Sequence, residues 1–438
     1  MKKKVALRTL GCKLNYAEGD TILRNFQHAG YEAVDFKDHA DVYIINTCTV
    51  THVADKKSRA LIRQAIKHNK EAIIIVTGCY AQVNAEQIAN QIPEIDYIID
   101  NVYKKSFFTP ENIKKLKKHH ISPEILKFNS KQKNIDFFPS YSINFRTRSF
   151  LKVQDGCNYT CNYCTIPFTR GNSRNASISE IIQTTKNLIK ANVKEIVLTG
   201  INIGDFGKST GETFYELLKA LDKIKDNIRF RISSIEPNLI TTDIIKLISN
   251  SDKFVNHFHI PLQSGSNNVL KAMQRRYNTK LFESKIEEIN KFIPNTGIGI
   301  DVITGYPTET KTDFDTTVNF LENLNFSYLH VFTYSPRPLA KSYKMKIIAT
   351  NKEITERSKI LHNLSNKKRE KFLRKNLGKE LIVLFESDKI KNKIYGLTDN
   401  YIRVYSDFEP SLINSIKKVK ILKVEDVEKN LCSCKVIE

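Results

Sequence analysis

Strand and helix patterns alternate through the first hundred residues of the chain. Helix-period segments at Ala17–His28 and Val53–Lys67 separate short apolar runs. This alternation is typical of a parallel sheet with helical crossovers, so we expect an α/β fold with an N-terminal parallel-sheet domain. The predicted strands of this domain are Val5–Thr9, Val42–Ile45, Ile73–Val76 and Tyr97–Ile99.

The same alternation returns after Ser149 and continues to about Ser335. Six strand–helix units fit into this stretch, whereas a complete TIM barrel needs eight. We therefore expect an incomplete, TIM-like (βα)6 barrel. Its predicted strands are Phe150–Val153, Glu195–Leu198, Phe230–Ile232, Val255–Ile260, Ile298–Ile303 and Tyr328–Phe332.

Two Lys/Arg-rich segments and a group of short strands complete the pattern. Between Lys104 and Arg148, eleven Lys/Arg accompany three Asp/Glu, which predicts a basic linker. Residues 352–375 carry nine Lys/Arg and predict a long charged helix. After Gly378, five short strands predict a small C-terminal β-barrel. The predicted domains are residues 1–103, the linker 104–145, the (βα)6 barrel 146–350, the connecting helix 351–375 and the small β-barrel 376–438.

The composition is typical of a folded, strongly basic protein. Of 438 residues, 41% are hydrophobic, and the formal net charge is +22, so we expect a packed core and a polyanionic partner, with nucleic acid as the first candidate. No apolar run reaches membrane-spanning length, which excludes an integral membrane protein. The N-terminal residues lack the apolar segment of a signal peptide. Eight cysteines are too few for a disulfide scaffold, so we expect a reducing, cytoplasmic location and cysteines that act as metal ligands or catalytic groups.

Three cysteines lie close together directly after the first strand of the predicted barrel. Cys157, Cys161 and Cys164 have the spacing Cys-x3-Cys-x2-Cys. Three thiolates can hold three irons of a 4Fe–4S cluster, and without a fourth cysteine nearby one iron stays open to a chelating ligand. The carboxyl ends of barrel strands are where TIM-like folds carry their chemistry. The alternative is a structural zinc site, which needs a fourth ligand from elsewhere and usually uses paired Cys-x2-Cys motifs.

Three further cysteines each follow a different strand of the N-terminal domain. In a parallel sheet, Cys12, Cys48 and Cys79 emerge at the same carboxyl edge, where ligand crevices form. Gly11 and Gly78 permit a close backbone approach there. These thiols either hold a second cluster with its own open iron or are unrelated buried cysteines, and their spacing alone leaves both interpretations open.

Polar residues and glycines cluster where the other barrel strands end. Ligand pockets form at these positions in TIM-like folds, although any single residue can equally be an ordinary loop or capping residue. Tyr163 stands next to Cys164 and is expected beside the bound ligand. The candidate ligand contacts are Tyr163, Gly200, Asn202, Ser233, Glu236, Gln263 and Asp301.

Two residue pairs with ligand-forming side chains are predicted to be structural. His257 and His259 face the same way on the fourth barrel strand, and we expect histidines with satisfied hydrogen bonds. Cys432 and Cys434 alternate on the last strand of the small barrel, where we expect them to pack in its core.

Both cysteine sets together resemble those of a known enzyme family. The Cys-x3-Cys-x2-Cys loop is the hallmark of the radical S-adenosylmethionine (SAM) superfamily. The segments 9–15, 46–50 and 77–82 resemble the three cysteine motifs of methylthiotransferases, which join such a domain to a radical SAM barrel and a C-terminal TRAM domain. The resemblance covers nearly the whole chain. Segments 9–15, 154–157 and 166–171 are most similar to the type that acts on threonylcarbamoyladenosine (the MtaB type).

This resemblance implies SAM and two 4Fe–4S clusters as cofactors. Cys157, Cys161 and Cys164 would be the catalytic set, whose cluster cleaves SAM to a 5′-deoxyadenosyl radical, and the candidate ligand contacts would bind SAM. Cys12, Cys48 and Cys79 would hold an auxiliary cluster that supplies or carries the sulfur. The implied reaction places a methylthio group on C2 of N6-threonylcarbamoyladenosine next to the anticodon, a base that must be unstacked to react.

The implied partners are tRNA, through its anticodon loop, and an electron donor such as flavodoxin or ferredoxin, without DNA or a membrane. The net charge, the basic segments and the TRAM-like barrel favour tRNA over a protein substrate. The open alternatives are methylthiolation of isopentenyladenosine in tRNA or of a ribosomal-protein aspartate and, in another class, an iron–sulfur RNA-binding redox sensor. Candidate substrate contacts, each with an ordinary surface role as its alternative, are Arg170, Arg174, Tyr334 and Arg337.

Overall fold

The N-terminal part of the chain forms a six-stranded parallel sheet. The computed structural model describes residues 2–119, 122–127, 136–143 and 147–437. The first elements are β1 (Lys4–Thr9), α1 (Lys13–His28), β2 (Glu32–Val34), β3 (Val42–Thr47), α2 (His52–His68), β4 (Ile73–Gly78), α3 (Cys79–Gln91), β5 (Tyr97–Ile99), α4 (Lys104–Phe107), α5 (Pro110–Ile113) and β6 (Glu124–Leu126). The strand order is β2-β1-β3-β4-β5-β6. β3 and β4 are buried throughout, as expected of β-branched runs covered by helices on both faces.

Much of the segment predicted to be a basic linker is part of this sheet domain. β6 pairs in parallel with β5, and α4 and α5 pack beneath it. Lys104 is completely buried, so this part of the predicted basic linker belongs to the N-terminal domain. A count of charges does not reveal that a lysine has a buried acidic partner. Residues 120–121, 128–135 and 144–146 of the predicted linker lie outside the described residues.

The second unit is the predicted open barrel of six parallel strands. Its strands and helices are β7 (Ser140–Tyr141), β8 (Arg148–Lys152), β9 (Gln154–Asp155), α6 (Ile166–Arg170), β10 (Arg174–Asn175), α7 (Ile178–Lys190), β11 (Glu195–Thr199), α8 (Phe214–Asp222), β12 (Arg229–Ile232), α9 (Thr242–Asn250), β13 (His257–Gln263), α10 (Asn267–Ala272), α11 (Thr279–Phe292), β14 (Gly297–Thr304), α12 (Lys311–Asn323) and β15 (Tyr328–Thr333). The barrel wall runs β8-β11-β12-β13-β14-β15, with isolated bridges joining β12 to β13, and β7 pairs antiparallel with β8. Helices α7, α8 and α12 begin with capping boxes, which the sequence signals as Ser/Thr followed by Glu/Asp.

The third unit is a closed five-stranded barrel, as predicted. It follows α13 (Asn351–Lys375) and consists of β16 (Glu380–Ile390), β17 (Lys393–Thr398), β18 (Arg403–Asp407), β19 (Ile416–Asp426) and β20 (Leu431–Val436). Cys432 and Cys434 lie in its apolar core, which confirms their predicted packing role. In the described part of the chain, no helix combines the length and apolarity needed to cross a membrane.

The small barrel closes the end of the (βα)6 barrel at which the parallel strands begin. Tyr401, in the turn between β17 and β18, stacks on His257 with ring centroids 4.3 Å apart. His257 Nε2 also lies 2.9 Å from the Tyr328 hydroxyl, whereas its Nδ1 is buried without a hydrogen-bond partner among the described residues. In the described strand order, no pairing joins β15 to β8, so the side between these two strands is the open face of the barrel.

Candidate active site

The structure places Cys157, Cys161 and Cys164 on one loop between β9 and α6. Cys161 is buried and the other two are half-buried. Burial, followed by repulsion from the neighbouring thiols, raises the pKa of Cys157 to about 11 and that of Cys164 to about 12. Thiols with such values are protonated at neutral pH, so a bound metal has to displace their protons.

Every sulfur of this loop accepts one N–H donor. The backbone amides of Tyr159 and Ile166 donate to Cys157 and Cys164 over 3.3 and 3.4 Å. Arg275 Nη1 donates to Cys161 Sγ over 3.1 Å. Such hydrogen bonds stabilise thiolate ligands and tune iron–sulfur clusters.

Arg275 is a site residue that the sequence reasoning missed. Its guanidinium also donates to the Tyr163 hydroxyl over 3.2 Å and forms a buried ion pair with Glu236. Arg275 therefore fixes two of the predicted ligand contacts against the thiol loop. The only signal was the charged run Arg275-Arg276-Tyr277 after the fourth barrel strand, and nothing in that run points to a cysteine more than a hundred residues away.

Cys12, Cys48 and Cys79 meet at the carboxyl edge of the N-terminal sheet. Gly11 has φ +100°, and a Cβ on it would lie 2.9 Å from the sulfur of Cys48, so only glycine admits this approach. Gly78 has φ +98°, and a Cβ atom at this position would clash with the backbone of β3. Both glycines have the role that the sequence predicts.

The three edge thiols lie at positions that favour negative charge. Cys12 caps α1 and Cys79 is the first residue of α3, so both face the positive end of a helix. The backbone amides of Asn15 and Val50 donate to Cys12 and Cys48. Burial and then the Cys79 thiol raise the pKa of Cys48 to about 12. The helix N-termini stabilise the thiolate form, and the high pKa of Cys48 means that a bound metal centre has to displace the thiol protons.

The spacing of both cysteine sets favours a cluster over a single ion. Among the described residues, neither set has all three sulfurs within 4.8 Å of one another. Thiolates on one tetrahedral zinc ion are about 3.8 Å apart. The three-thiol sets therefore fit multi-iron clusters better than zinc, and their hydrogen-bonded sulfurs agree with that choice.

Asn101 links the two cysteine sets. Its side-chain amide lies 3.8 Å from Cys79 Sγ and donates to the carbonyl of Thr169 over 2.8 Å. Thr169 belongs to α6, the helix that follows Cys164. The thiol edge of the N-terminal sheet therefore faces the thiol loop of the barrel. Sequence reasoning missed Asn101 because no motif surrounds it and its partner Thr169 is 68 residues away in the chain.

A buried network of ion pairs holds these two edges together. Glu18 of α1 accepts from Arg170 (2.9 Å), Lys104 (2.6 Å) and Lys152 (2.8 Å). Asp155 accepts from Arg170 at 3.0 Å. Burial alone would raise the pKa of Glu18, but the three cations outweigh it and hold that pKa well below its usual range. The network thus connects the N-terminal domain to the barrel through charges that are shielded from water.

Neutralising Glu18 is expected to destabilise the protein strongly. Glu18→Gln leaves Lys104 without a carboxylate partner and Lys152 and Arg170 with Asp155 alone, and breaking a buried network of this kind costs about 3–5 kcal/mol. The free energy of unfolding, measured by urea titration under anaerobic conditions, checks this value.

Glu370→Gln is the matched control for Glu18→Gln. Glu370 pairs with Arg374 on the solvent face of α13, so its loss should change the free energy of unfolding by less than about 0.5 kcal/mol. Because the pKa of Glu18 is depressed in the folded state, the contribution of Glu18 to the free energy of unfolding is complete above about pH 4.3. This contribution decreases as the pH falls below that value. Equal stability of the two variants would contradict the importance of the network.

Two of the predicted substrate contacts are enclosed in this network. Arg170 is 2% exposed, and Arg174 donates to Asp155 over 3.0 Å. Neither guanidinium is free to reach a substrate, so the expectation of substrate contact is corrected to a structural role. Arg337 is also buried and binds Asp55 and Thr49, beside Cys48. Tyr334 donates to the Ser342 hydroxyl over 2.8 Å and remains half-buried.

The strand-end residues surround the space in front of the thiol loop. Asn202 Oδ1 and Ser233 Oγ are buried without a hydrogen-bond partner among the described residues, as expected of groups that await a polar ligand. Gln263 has φ +71° at a β-bulge, and Gly200 packs against Gln154. Asp301 is different, because it lies inside the barrel and its Oδ1 is 2.6 Å from His259 Nε2.

A cleft of about 500 Å³ is lined by residues that are neighbours of both cysteine sets in the chain. Thr49 and Tyr80 in its wall adjoin Cys48 and Cys79 in the chain, and Thr165 adjoins Cys164. Its other walls include several basic side chains, among them Arg337. The cleft therefore has walls from both the N-terminal domain and the barrel.

Two family models match separate parts of the chain. The model described as "Uncharacterized protein family UPF0004" matches residues 4–100, the sheet domain with Cys12, Cys48 and Cys79. The model of the Radical SAM superfamily matches residues 151–321, which include the thiol loop of the barrel. The two matches agree with the two units that carry the cysteine sets.

Named relatives are similar to the chain over almost its full length. A threonylcarbamoyladenosine tRNA methylthiotransferase MtaB from Aquifex aeolicus is 39% identical over 403 residues, covering 92% of this chain and 96% of the relative. The MtaB protein of Bacillus subtilis is 39% identical over 436 residues, covering 96% and 94%. A tRNA-2-methylthio-N(6)-dimethylallyladenosine synthase from Sulfurihydrogenibium sp. is 32% identical, covering 96% and 97%.

Solved structures of other radical SAM enzymes share the fold. The methyltransferase TsrM from Kitasatospora setae superposes with a TM-score of 0.58 at 11% identity, covering 78% of this chain and 75% of that one. The cobalamin-dependent enzyme OxsB gives a TM-score of 0.50 at 15% identity, covering 84% and 56%. At these identities the likeness shows the fold alone.

Proposed function

The chain belongs to the methylthiotransferase family of radical SAM enzymes, and from this premise we propose that it converts N6-threonylcarbamoyladenosine in tRNA to the 2-methylthio derivative. The relatives with the higher identity, at 39%, carry the MtaB name, whereas the dimethylallyladenosine synthase is 32% identical. This difference favours the threonylcarbamoyl substrate over the dimethylallyl one. We further propose that the modified base lies next to the anticodon.

The juxtaposition of the two thiol sets carries the proposal. Asn101 reaches from Cys79 to the helix that follows Cys164, and the 500 Å³ cleft is lined by chain neighbours of both sets. A methylthiotransferase must bring a sulfur source and a radical source to one atom of the substrate. A redox sensor that binds RNA needs no such facing arrangement.

We propose that each thiol set holds one 4Fe–4S cluster and that SAM binds in front of the barrel set. When bound, these groups supply the radical and the sulfur. The chain itself orients them: Arg275 fixes Cys161, Tyr163 and Glu236, and the unpartnered oxygens of Asn202 and Ser233 accept donors of SAM. The proposed SAM contacts are Tyr163, Gly200, Asn202, Ser233, Glu236 and Gln263.

Basic surfaces on the C-terminal units fit an RNA partner. Helix α13 carries nine Lys/Arg, and β16 and β19 expose several lysines, including Lys389, Lys420 and Lys423. Neutralisation of phosphates by such groups drives tRNA binding. Leu339 is an exposed apolar side chain in the wall of the cleft, which suits contact with an unstacked base.

Two further expectations follow from the proposed reaction. Reductive cleavage of SAM needs an external one-electron donor, for which a flavodoxin or a ferredoxin is suitable. A tRNA-modifying enzyme of this class is also expected to act in the cytoplasm, where its substrate is located.

Deletion of the gene is expected to remove 2-methylthio-N6-threonylcarbamoyladenosine from cellular tRNA. The unmodified precursor N6-threonylcarbamoyladenosine should accumulate by the same amount, because only the last step is lost. Mass spectrometry of digested tRNA nucleosides measures both compounds. Complementation with the wild-type gene should restore the product, and a Cys157→Ala gene should not.

Other outcomes of this measurement identify the alternative functions. Loss of the 2-methylthio derivative of isopentenyladenosine, with the threonylcarbamoyl product unchanged, would assign the other tRNA substrate. An unchanged nucleoside profile would refute the tRNA assignment and direct attention to the ribosomal-protein aspartate. Purified protein that forms no 5′-deoxyadenosine from SAM and dithionite would instead be a sensor.

A further inference from the structure

Lys13 extends from the N-terminal domain into the interior of the (βα)6 barrel. It directly follows Cys12 in the chain, so its ammonium lies within one side-chain length of the edge thiols. Tyr16 and Ala17, one helical turn after Lys13, pack on Phe150 of β8 and Val197 of β11, so this face of α1 lies against the open side of the barrel. The charged and titratable groups near Lys13 belong to five of the six barrel strands, which agrees with that position. These groups are Arg148 of β8, Arg231 of β12, His257 of β13, Asp301 of β14 and His330 of β15.

Lys13 differs from the other enclosed lysines because it has no partner. Lys104 and Lys152 each form salt bridges with carboxylates at 3.0 Å or less. Within the described ranges, Lys13 forms no hydrogen bond or ion pair. Lys13 is half-buried, and Asp301 is the one carboxylate among the groups named above. A half-buried ammonium that forms no ion pair with a protein carboxylate is suited to an anionic ligand.

The space around Lys13 is an accessible chamber with a polar wall. The side chains of His259 and Asp301 are 19% and 17% exposed although they face the inside of the barrel. His330 and Phe332 lie on the inward face of β15, and Phe332 is 50% exposed. Leu329 and Val331, which alternate with them, pack into the outer core. The chamber therefore offers hydrogen-bonding groups, one aromatic surface and one unpaired cation.

A metal ion is a less suitable occupant of the same chamber. Ligand atoms of His259, Asp301 and His330 lie within 4.8 Å of one another, which is compatible with a divalent cation. However, Arg231 is paired with Glu195, whereas the ammonium of Lys13 has no ion-pair partner among the described residues and repels a second cation. The unpaired charge of Lys13 therefore favours an anion.

Building on the proposed function, we propose that Lys13 is a specificity-determining residue that binds the carboxylate of the N6-threonylcarbamoyl group. This substituent ends in the carboxylate of threonine, whereas a dimethylallyl group carries no charge. In the adenine ring, C2 and the carbon that carries N6 lie on opposite sides of N1. When C2 faces the thiol edge beside Cys12, the N6 substituent therefore extends into the chamber. His259 and His330 then lie where they can form hydrogen bonds to its ureido and hydroxyl groups.

Two anticodon stem-loop RNAs test this assignment. One carries N6-threonylcarbamoyladenosine, and the other carries the same group with its carboxylate replaced by a neutral carboxamide. The anaerobically reconstituted wild-type protein should prefer the carboxylate by about 100-fold in kcat/KM, because a site built around a charged hydrogen bond rejects the analogue that lacks it. In Lys13→Gln this preference should fall below about threefold, mainly through a higher KM for the carboxylate RNA, and Lys13→Arg should retain most of it.

The controls separate recognition from loss of the neighbouring thiol site. Iron and sulfide content and the tRNA-independent formation of 5′-deoxyadenosine should be unchanged in Lys13→Gln. Lys225→Gln, an exposed lysine between α8 and β12, should retain the full preference. A Lys13→Gln protein that still prefers the carboxylate, or that has lost one cluster, would overturn the role of Lys13. If the wild-type protein methylthiolates neither RNA, it is the proposed function that fails.

Discussion

Replacing Cys157 with alanine is expected to abolish the cleavage of SAM. The three thiols of the barrel loop each accept one N–H donor and act as one ligand set, so two thiols should not hold a cluster that binds SAM. Production of 5′-deoxyadenosine with dithionite should fall by at least about 1,000-fold, as for residues that act as a catalytic unit. Chromatography of the anaerobic reaction measures this product directly.

Iron analysis and a matched cysteine variant make this result specific. Cys157→Ala should lose about four irons per chain, the content of one 4Fe–4S cluster. Cys432→Ala removes a thiol from the core of the small barrel and should keep both the iron content and SAM cleavage. SAM cleavage at more than a tenth of the wild-type rate in Cys157→Ala would contradict the assignment of the catalytic set.

Replacing Cys48 with alanine is expected to separate the two halves of the reaction. Cys48 lies on the N-terminal domain, where its side chain packs against Gly11, whereas the loop that carries Cys157 belongs to the barrel. SAM cleavage should therefore stay within about threefold of the wild-type rate, while formation of the methylthio nucleoside falls by at least about 1,000-fold. Mass spectrometry of a modified stem-loop RNA measures the product, and chromatography measures 5′-deoxyadenosine in the same sample.

The outcome of the Cys48 experiment decides whether the edge thiols form a functional set. Cys12→Ala and Cys79→Ala should reproduce the behaviour of Cys48→Ala, because the three thiols share one site. A Cys48→Ala protein that still forms the methylthio product at the wild-type rate would remove the sulfur-supplying role from this edge. Parallel loss of SAM cleavage would instead indicate that the domains unfold together.

The facing arrangement of the two thiol sets depends on residues that carry no motif. Glu18, Lys104 and Lys152 share a buried network with Arg170, which stands in the motif segment 166–171. The motif residue therefore contributes by fixing α6 against the N-terminal domain, and not by touching substrate. Buried charges of this kind favour one relative placement of the domains, because any other placement leaves a charge unpaired.

Local pattern was sufficient to predict the three units of the fold and both cysteine sets. The six barrel strands, the parallel strands before Cys12, Cys48 and Cys79, and the closed small barrel follow from hydrophobic periodicity and turn signals, which are properties of short segments. The convergence of the edge thiols was also foreseeable, because parallel strands end on the same side of a sheet. The sequence by itself therefore determined which chemistry the chain can carry.

Only the tertiary structure decided which side chains serve that chemistry. Arg275 reaches Cys161, Arg170 reaches Glu18, and Lys13 enters a barrel that begins more than a hundred residues later in the chain. β6 joins the first sheet although its segment is rich in lysine. These contacts arise from the docking of separately patterned units, and the free energy of pairing a charge depends on the burial that docking creates. No window of sequence contains that information.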